Sequence, residues 1–268
     1  MIKITANSLR DYQTCARLYA YRYGEDKTTE KLDIRERRAA RFDETIRRVI
    51  TFFFYKKQAM AEPSYQALLN RWQKLWFEPG TNAMDIALAK NETWWNSDIS
   101  YVTQATNALL VFYDEFANKP EQQVVLVDES FCVPLSKTVA LEGQFDVILR
   151  EQKPDKTFQY HIYKWANISI KRAISFWTFD FTIMDYAFRY RNSFKNLDTK
   201  FYLWNFNGSL IGSKEIELET EDIQTMRYWA TELENTKVFA SRRGFTSYCK
   251  SCPFDKKCAE WKLPVKVG

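Results

Sequence analysis

The chain has 268 residues, of which 46% are hydrophobic and 16% aromatic, and it carries a formal net charge of +5. This length allows one substantial core, and seven glycines with seven prolines leave little room for a disordered linker. The modest positive charge is compatible with a nucleic-acid partner without requiring one. The sequence has neither a signal-peptide core nor an apolar run of the ~20 residues that span a membrane, so we expect a cytoplasmic protein without membrane contact.

The first part of the chain is predicted to be helical. Apolar residues at helical spacing predict a helix over residues 8–23, with Ser8 as its N-cap and Cys15 on its buried stripe. A second helix is predicted over residues 32–55, and it carries six arginines. These arginines form either a solvated helix face or a surface that faces phosphates. Residues 63–113 read as further helices.

The pattern then changes to the alternation that is typical of strands. Strands are predicted at residues 123–134, 140–150, 157–165, 200–206 and 215–218. Helices are predicted at residues 174–194 and 221–239. This order predicts an α/β fold with a mixed central sheet flanked by helices.

We expect one domain over residues 1–268. A helical region at 24–120 is inserted between the first helix and the sheet, an α/β core follows at 121–240, and residues 241–268 form a cysteine-containing tail.

Three of the five cysteines lie close together in this tail, at Cys249, Cys252 and Cys258. Clustered cysteines in a reducing compartment favour a metal over disulfides. A mononuclear zinc site or an iron–sulfur cluster normally takes four ligands. The fourth must come from Cys15 or Cys132, and the spacing alone does not separate iron–sulfur from zinc.

The cysteine placement and the strand order together resemble the iron–sulfur branch of the PD-(D/E)XK nuclease superfamily, which includes RecB-, AddB- and Cas4-like proteins. The resemblance covers nearly the whole chain and implies a restriction-endonuclease-like core. It also implies that Cys15, Cys249, Cys252 and Cys258 bind a 4Fe–4S cluster, with zinc as the alternative, and so join the first helix to the tail. Cys132 is then left as a core thiol.

The resemblance also assigns catalytic positions. Residues 143–146 match a G-x-x-D element that ends at Asp146. The following (D/E)-x-K element falls at residues 162–164, where Lys164 is present but Ile162 replaces the acid. In the family, two carboxylates bind Mg²⁺ or Mn²⁺ and the lysine stabilises the charge that develops on the phosphate. One carboxylate and waters hold such an ion weakly.

Further family positions are partly retained. Tyr186 matches the tyrosine of a Q-x-x-x-Y element, whose glutamine position is taken by Thr182. An early family histidine is replaced near Asp43 or Glu44, which are therefore possible replacement metal ligands.

Three other side chains lie near these motifs in the sequence and are candidates for the role of the missing acid. Glu129 and Glu142 lie on the predicted strands, and either carboxylate is a candidate to replace the missing acid in the site. His161 does not replace the acid, because alternation places it on the opposite strand face from Lys164. It is the sole histidine of the chain, and we expect a structural residue with its hydrogen bonds satisfied.

These observations favour a nuclease-fold, 4Fe–4S-containing protein that binds DNA, as single strands or ends, and whose nuclease activity is weakened or lost. One alternative is an active metal-dependent exonuclease that uses Asp146, Lys164 and a displaced carboxylate. Another is an interaction subunit of a larger complex, for example a phage complex, with protein partners. The resemblance implies the cytoplasm of a bacterial, archaeal or phage-infected cell.

Overall fold

The computed structural model describes residues 1–24, 34–77, 99–167, 176–206 and 211–236, with Cys249, residues 252–254 and Cys258 in the tail. Side chains are described in these ranges except at 34–37 and 99. The helices are α1 (Ala6–Thr14), α2 (Ala16–Tyr23), α3 (Ile34–Gln58), α4 (Tyr65–Phe77), α5 (Ile99–Phe116), α6 (Thr178–Arg191) and α7 (Thr220–Asn235). The strands are β1 (Ile2–Ile4), β2 (Gln122–Pro134), β3 (Val139–Gln152), β4 (Phe158–Ala166), β5 (Asp198–Asn205) and β6 (Gly212–Ile216).

The six strands form one mixed sheet. Its order is β1-β3-β4-β5-β6, and β2 pairs with the other edge of β3. β1 is parallel to β3 and β4 is parallel to β5, whereas the remaining pairs are antiparallel. This architecture confirms the predicted α/β fold with a mixed central sheet flanked by helices.

Two strands, β1 and β4, pair with different parts of the same edge of β3, and a gap separates them along that edge. β1 pairs with residues 139–141 of β3, and β4 pairs with residues 147–152. β2 pairs along nearly the whole opposite edge. In the part of the chain that the structure describes, residues 142–146 therefore have no strand neighbour on the β1/β4 side.

The sheet carries a hydrophobic core on each face. One core, the α1/α6/α7 core, includes Leu9, Phe181 and Met226 together with Ile148 and Ile162 of the sheet. The other, the α3/α4/α5 core, includes helix residues such as Phe53, Trp72 and Phe112 packed on the sheet residues Val147 and Tyr163. Successive strand residues point into opposite cores, as the period of two requires.

The start of the chain differs from the sequence prediction in two ways. The short strand β1 was not predicted, because three residues are too few to show a period. The N-cap of α1 is Thr5 rather than Ser8, since the Ser8 N–H donates to Thr5 Oγ1 at 3.1 Å and the Thr5 N–H donates to Ser8 Oγ at 2.9 Å. This reciprocal capping box makes Ser8 the third helical residue.

The predicted first helix is in fact two helices. Cys15 has φ −164° and ψ 120°, an extended conformation that ends α1 and begins α2. The prediction that Cys15 lies on a continuous helical stripe is therefore wrong. The extended residue changes the chain direction between two short helices. The half-buried Cys15 side chain packs with described residues of the tail rather than in the α1/α6/α7 core.

The later elements have somewhat different bounds from those predicted. α6 ends at Arg191, where Ser193 and Phe194 adopt positive φ values, and its predicted start at 174 lies outside the described residues. α7 ends at Asn235, and the predicted continuation over 237–239 also lies outside them. None of the helices described here is both long and apolar enough to cross a membrane.

Candidate functional site

The G-x-x-D element lies on the stretch of β3 that pairs with β2 but has no described strand neighbour on the β1/β4 edge. At Gly143, a Cβ atom would lie 2.6 Å from Cζ of Phe131, a distance that atoms in proteins do not tolerate. The Phe131 ring packs instead on the Phe145 ring, with centroids 4.6 Å apart. The glycine is therefore required by the packing of β2 on β3, whatever the chemistry of the site.

Asp146 lies at the point where β3 and β4 separate. The backbone pairing between these strands ends at Val147 and Tyr163. Beyond this pair, the Trp165 N–H of β4 donates to Oδ2 of Asp146 at 2.7 Å. The Asp146 carboxylate therefore accepts a hydrogen bond that a backbone carbonyl of β3 would accept in a continuous ladder. Asp146 is buried, at 8% exposure, and a charge buried to this extent needs a partner.

That partner is Arg47 of α3. Its Nη1 lies 3.5 Å from Oδ2 of Asp146, and its Nε donates to Oδ2 of Asp43 at 2.7 Å. Its Nη2 donates to the carbonyl oxygen of Trp165. The structure therefore brings Asp43 and Asp146 to one guanidinium. Glu44 is directed elsewhere, because its carboxylate is 67% exposed and pairs with Arg48 at 3.7 Å.

Lys164 contacts a different carboxylate. Its Nζ lies 3.5 Å from Oδ1 of Asp180, an acid in the first turn of α6. Arg10 of α1 donates to the other oxygen of Asp180. Both Lys164 and Asp180 are largely buried, with 17% and 12% of the side chain exposed. Asp146 and Lys164 are thus neutralised by separate partners.

A cavity of about 170 Å³ opens beside Lys164 at the gap in β3. Its polar lining consists of Thr5, Asn7, Glu142, Gln144, Lys164 and Asp180. Glu142 also pairs with Lys3, Nζ to Oε1, at 2.9 Å. Two carboxylates and one lysine therefore share this cavity, and Asp146 is not part of its lining.

Sequence reasoning missed Asp180 and Arg47. Asp180 lies in an aromatic run, and the predicted helix start at 174 placed it away from a terminus. Its position in the first helical turn, where acids are favoured, is the signal that a correct helix boundary would have provided. Arg47 was one of six arginines, and nothing in the sequence marked it as the inward one.

Ile162 occupies the position of the second family acid. Its side chain is fully buried, pairs across the ladder with Ile148 and lies in the α1/α6/α7 core. It faces the same side of the sheet as Lys164. An acid at this position would stand in an apolar core, so its replacement by isoleucine suits the surroundings found here.

His161 faces the other side of the sheet, as the strand alternation predicts. Its ring stacks on Tyr202 with centroids 5.7 Å apart. Burial lowers the pKa of His161, and the nearby charge of Glu151 opposes that shift. Nε2 has no hydrogen-bond partner among the described residues and lies 3.7 Å from the Glu151 carboxylate. Among the described residues, the expectation of fully satisfied hydrogen bonds is therefore not met at Nε2.

The remaining family positions have structural contacts. The Tyr186 hydroxyl donates to the carbonyl of Pro134 at 3.1 Å and so joins α6 to the end of β2. Thr182 is buried, and its hydroxyl donates to the carbonyl of Thr178. Glu129 forms an ion pair with Arg191 and is not among the residues that line the cavity beside Lys164.

The described parts of the tail lie against the first two helices. Cys15, Cys252 and Cys258 pack on a small apolar cluster made of Leu18, Tyr21 and Phe254. In the tail, the Cys252 N–H donates to the Cys249 carbonyl at 3.4 Å, and the Cys258 N–H donates to the Phe254 carbonyl at 2.8 Å. Cys15 and two of the tail cysteines thus contact one apolar cluster.

Four thiols are close enough to influence one another. Burial raises the pKa of the Cys252 thiol, a hydrogen bond from the Phe254 backbone opposes the shift, and the charges of Cys258, Cys15 and Cys249 raise it further. These four, the cysteine group, are thus neighbours in space. No set of three or more His, Cys, Asp or Glu side chains within the described ranges has the arrangement of a finished metal site.

Cys132 is separate from the cysteine group. It is exposed on β2, opposite Glu142 of β3. The expectation of a core thiol is therefore wrong, because the adjacent residues Phe131 and Val133 point into the core and the alternation turns Cys132 outward.

The arginines of α3 do not form a single outward surface. Arg41 donates to the carbonyls of Leu75 and Trp76 in the last turn of α4, and Arg47 binds the carboxylates described above. Arg48 is 57% exposed. The side chains at 35 and 37 lie outside the described residues. Two of the six arginines therefore connect elements within the fold and are not available to phosphates.

Comparison with known proteins identifies the family of the chain. A family model described as the PD-(D/E)XK nuclease superfamily matches residues 3–259. No curated protein matches the chain. A solved structure described as the crystal structure of SSO0001 is similar over 97% of this chain and 87% of its own, with 12% identity and a TM-score of 0.38. That likeness is too distant to support an argument about function.

Proposed function

Because the chain belongs to the PD-(D/E)XK nuclease superfamily, we propose that it is a nuclease-fold protein that binds nucleic acid, carries a 4Fe–4S cluster and has weakened or lost its cleavage activity. The observation that carries this proposal is at the second acid position. Ile162 is fully buried there in an apolar core, and the carboxylate of Asp146 is already paired with Arg47.

The cysteine group supports the cluster. Four thiolates are the usual ligand set of a 4Fe–4S cluster, and zinc accepts the same set. Cys15 approaches the tail from an extended residue between two helices, so it is presented without distorting either helix. A bound cluster would supply a structural link between these helices and the tail.

The cluster is tested by anaerobic purification and analysis of iron and sulfide. We expect a brown protein with about four iron atoms and four sulfides per chain. Cys15→Ala and Cys249→Ala should each lose most of the iron, and Cys132→Ala is the matched control that should keep it. A colourless protein with one zinc per chain would contradict the iron–sulfur assignment and leave the four-cysteine site in place.

The expected partner is DNA, as single strands or ends. Family membership and the net charge of +5 support this partner. We expect affinity to fall steeply as salt is raised, since phosphate contacts release counterions. Binding that is independent of salt would contradict it. A cluster-loaded protein that binds no DNA at low salt would instead favour the subunit of a larger complex, with protein partners.

Loss of cleavage is tested with labelled single-stranded DNA in Mn²⁺. We expect the protein and its Asp146→Asn variant to give the same negligible cleavage. Cleavage that disappears in Asp146→Asn would overturn the proposal and identify an active nuclease.

One observation favours a second candidate, an active nuclease that uses other acids. Glu142 and Asp180 line the same cavity as Lys164. If they hold a metal ion there, cleavage should be lost in Glu142→Gln and Asp180→Asn but retained in Asp146→Asn. The pairing of Asp180 with Lys164 and Arg10 weighs against this candidate, because two cations already neutralise it.

A further inference from the structure

The guanidinium of Arg47 is surrounded by oxygen atoms from three elements. Asp43 belongs to α3, Asp146 to β3, and the carbonyl of Trp165 to β4. Nε, Nη1 and Nη2 are each directed at one of these oxygens. The side chain is 30% exposed, so solvent screens the arrangement only partly.

Two carboxylates and a main-chain carbonyl are the oxygen ligands that Mg²⁺ and Mn²⁺ use in proteins. A divalent ion does not fit them here. Oδ2 of Asp146 already accepts the Trp165 N–H, and the same oxygen faces the guanidinium at 3.5 Å. A divalent ion bound to this carboxylate would stand beside a full positive charge.

We infer that Arg47 is the resident cation of the Asp146 carboxylate and keeps divalent metal away from it. The inference deepens the proposed loss of cleavage and rests on it. The inference explains how Asp146 remains buried and charged without the metal ion that its family position implies. The positive charge that neutralises it belongs to the side chain of Arg47 on α3.

Arg47 is held in place from several sides. Its pairing with Asp43 spans one helical turn, and its Cζ lies 5.9 Å from the centre of the Phe206 ring. To move away, the side chain would have to release both carboxylates and the Trp165 carbonyl together. A divalent ion therefore has to displace several interactions at once.

The experiment measures Mn²⁺ binding to the purified full chain by electron paramagnetic resonance. Arg47→Gln removes the charge and keeps much of the side-chain length, and we expect it to bind one Mn²⁺ at least about tenfold more tightly than the wild type. Arg47→Lys keeps a cation and should gain much less. Arg48→Gln is the matched control, because Arg48 also pairs one turn back on α3 but is exposed, and it should behave as the wild type.

The added Mn²⁺ site must depend on Asp146. In Arg47→Gln/Asp146→Asn the gain should disappear, which separates this site from binding in the cavity beside Glu142. A folded Arg47→Gln protein with no Asp146-dependent gain would overturn the inference. Stability offers a second readout: Arg47→Gln should melt at a lower temperature, and Mn²⁺ should restore part of the loss only while Asp146 is present.

One comparison needs no change at Arg47. The wild type and Asp146→Asn should have the same Mn²⁺ isotherm, and a site that disappears in Asp146→Asn would overturn the inference even if Arg47→Gln failed to fold. Cleavage is scored separately. An inactive wild type without the expected gain in Arg47→Gln defeats the role of Arg47 alone, whereas Asp146-dependent cleavage by the wild type defeats the proposed function.

Discussion

Gly143 shows how a motif residue is explained by packing. Its place in the G-x-x-D element suggests catalysis, yet the nearest obstacle to a side chain there is the Phe131 ring. Both residues lie on paired strands, Gly143 directly opposite Phe131 in the ladder. The glycine of this family element is therefore explained in this chain by the packing of β2 on β3.

Gly143→Ala is expected to destabilise the protein by about 1–3 kcal/mol, because the added Cβ must displace an aromatic ring packed in the core. The free energy of unfolding in urea measures this. Phe131→Leu creates room at the same place, so the double variant should lose less than the sum of the single losses. Strictly additive losses would show that the two side chains do not compete for this space.

His161 should make stability depend on pH. Burial lowers its pKa below the ordinary value of 6.5, so the unfolded chain binds this proton more readily than the folded chain. The contribution of neutral His161 to the free energy of unfolding is therefore fully present above about pH 6.5, and it is lost as the pH falls toward the folded pKa. We expect His161→Phe to reduce the loss of unfolding free energy between about pH 7.5 and 5.5. Tyr202→Phe, which keeps the imidazole, should retain it.

For single residues, the sequence predicted which face of the sheet a side chain points to better than it predicted which residues that side chain contacts. Alternation correctly separated Ile162 and Lys164 from His161. It did not predict that Arg47 would contact Trp165, 118 residues away, or that Arg10 would contact Asp180, 170 residues away. Such contacts depend on how helices pack on the sheet, and a local pattern contains no information about that packing.

Among the elements, the junction of β1 and α1 has the most consequence for the site. β1 ends at Ile4, and the capping box formed by Thr5 and Ser8 starts α1 at once. The first residues of the helix then line the cavity beside Lys164. The cap therefore fixes the wall of the cavity as well as the helix.

Thr5→Ala should reduce the free energy of unfolding by about 1 kcal/mol, since the Ser8 N–H loses its acceptor at the helix start. Ser8→Ala removes the other half of the same motif. Because the two side chains act together, the double variant should lose less than the sum, and chemical denaturation measures all three. A neutral Thr5→Ala would indicate that the cap contributes nothing to α1.

The sequence predicted most sheet strands but not their separation. β3 and β4 were recognised from their alternation, whereas the gap between β1 and β4 along β3 had no signal. On the opposite edge of β3, Asp128 of β2 has a positive φ of 51° between the pairs Val127–Val147 and Glu129–Phe145. Asp tolerates a positive φ, but many Asp residues do not adopt it, so the residue type alone could not predict this conformation.

At the scale of the whole molecule, the two cores and the cysteine group differ in size. Both faces of the sheet bury large aromatic side chains, whereas the described apolar cluster at the tail consists of Leu18, Tyr21 and Phe254. The sheet therefore has ample hydrophobic stabilisation of its own. Among the described residues, the buried apolar contacts of the tail are those of Phe254 with Leu18 and Tyr21, and the proposed cluster would add a further link between the tail and the first helices.

Removal of the proposed cluster should release the tail and leave the sheet folded. After treatment with a chelator and oxidant, we expect far-ultraviolet circular dichroism to change little, while limited proteolysis cuts first within residues 237–268. Cys15→Ala should show the same cleavage without treatment. Cooperative loss of the whole circular dichroism signal would contradict this division.

The arginine charge at Asp146 has a consequence for how the protein responds to its surroundings. When a carboxylate is neutralised by an ion from solution, the net charge at that site changes with the concentration of the ion. Here the neutralising charge belongs to the polypeptide and is present at every magnesium concentration. We therefore expect magnesium to change the DNA affinity of the wild type and of Asp146→Asn to the same extent, because the ion then competes at the DNA phosphates and not at this carboxylate.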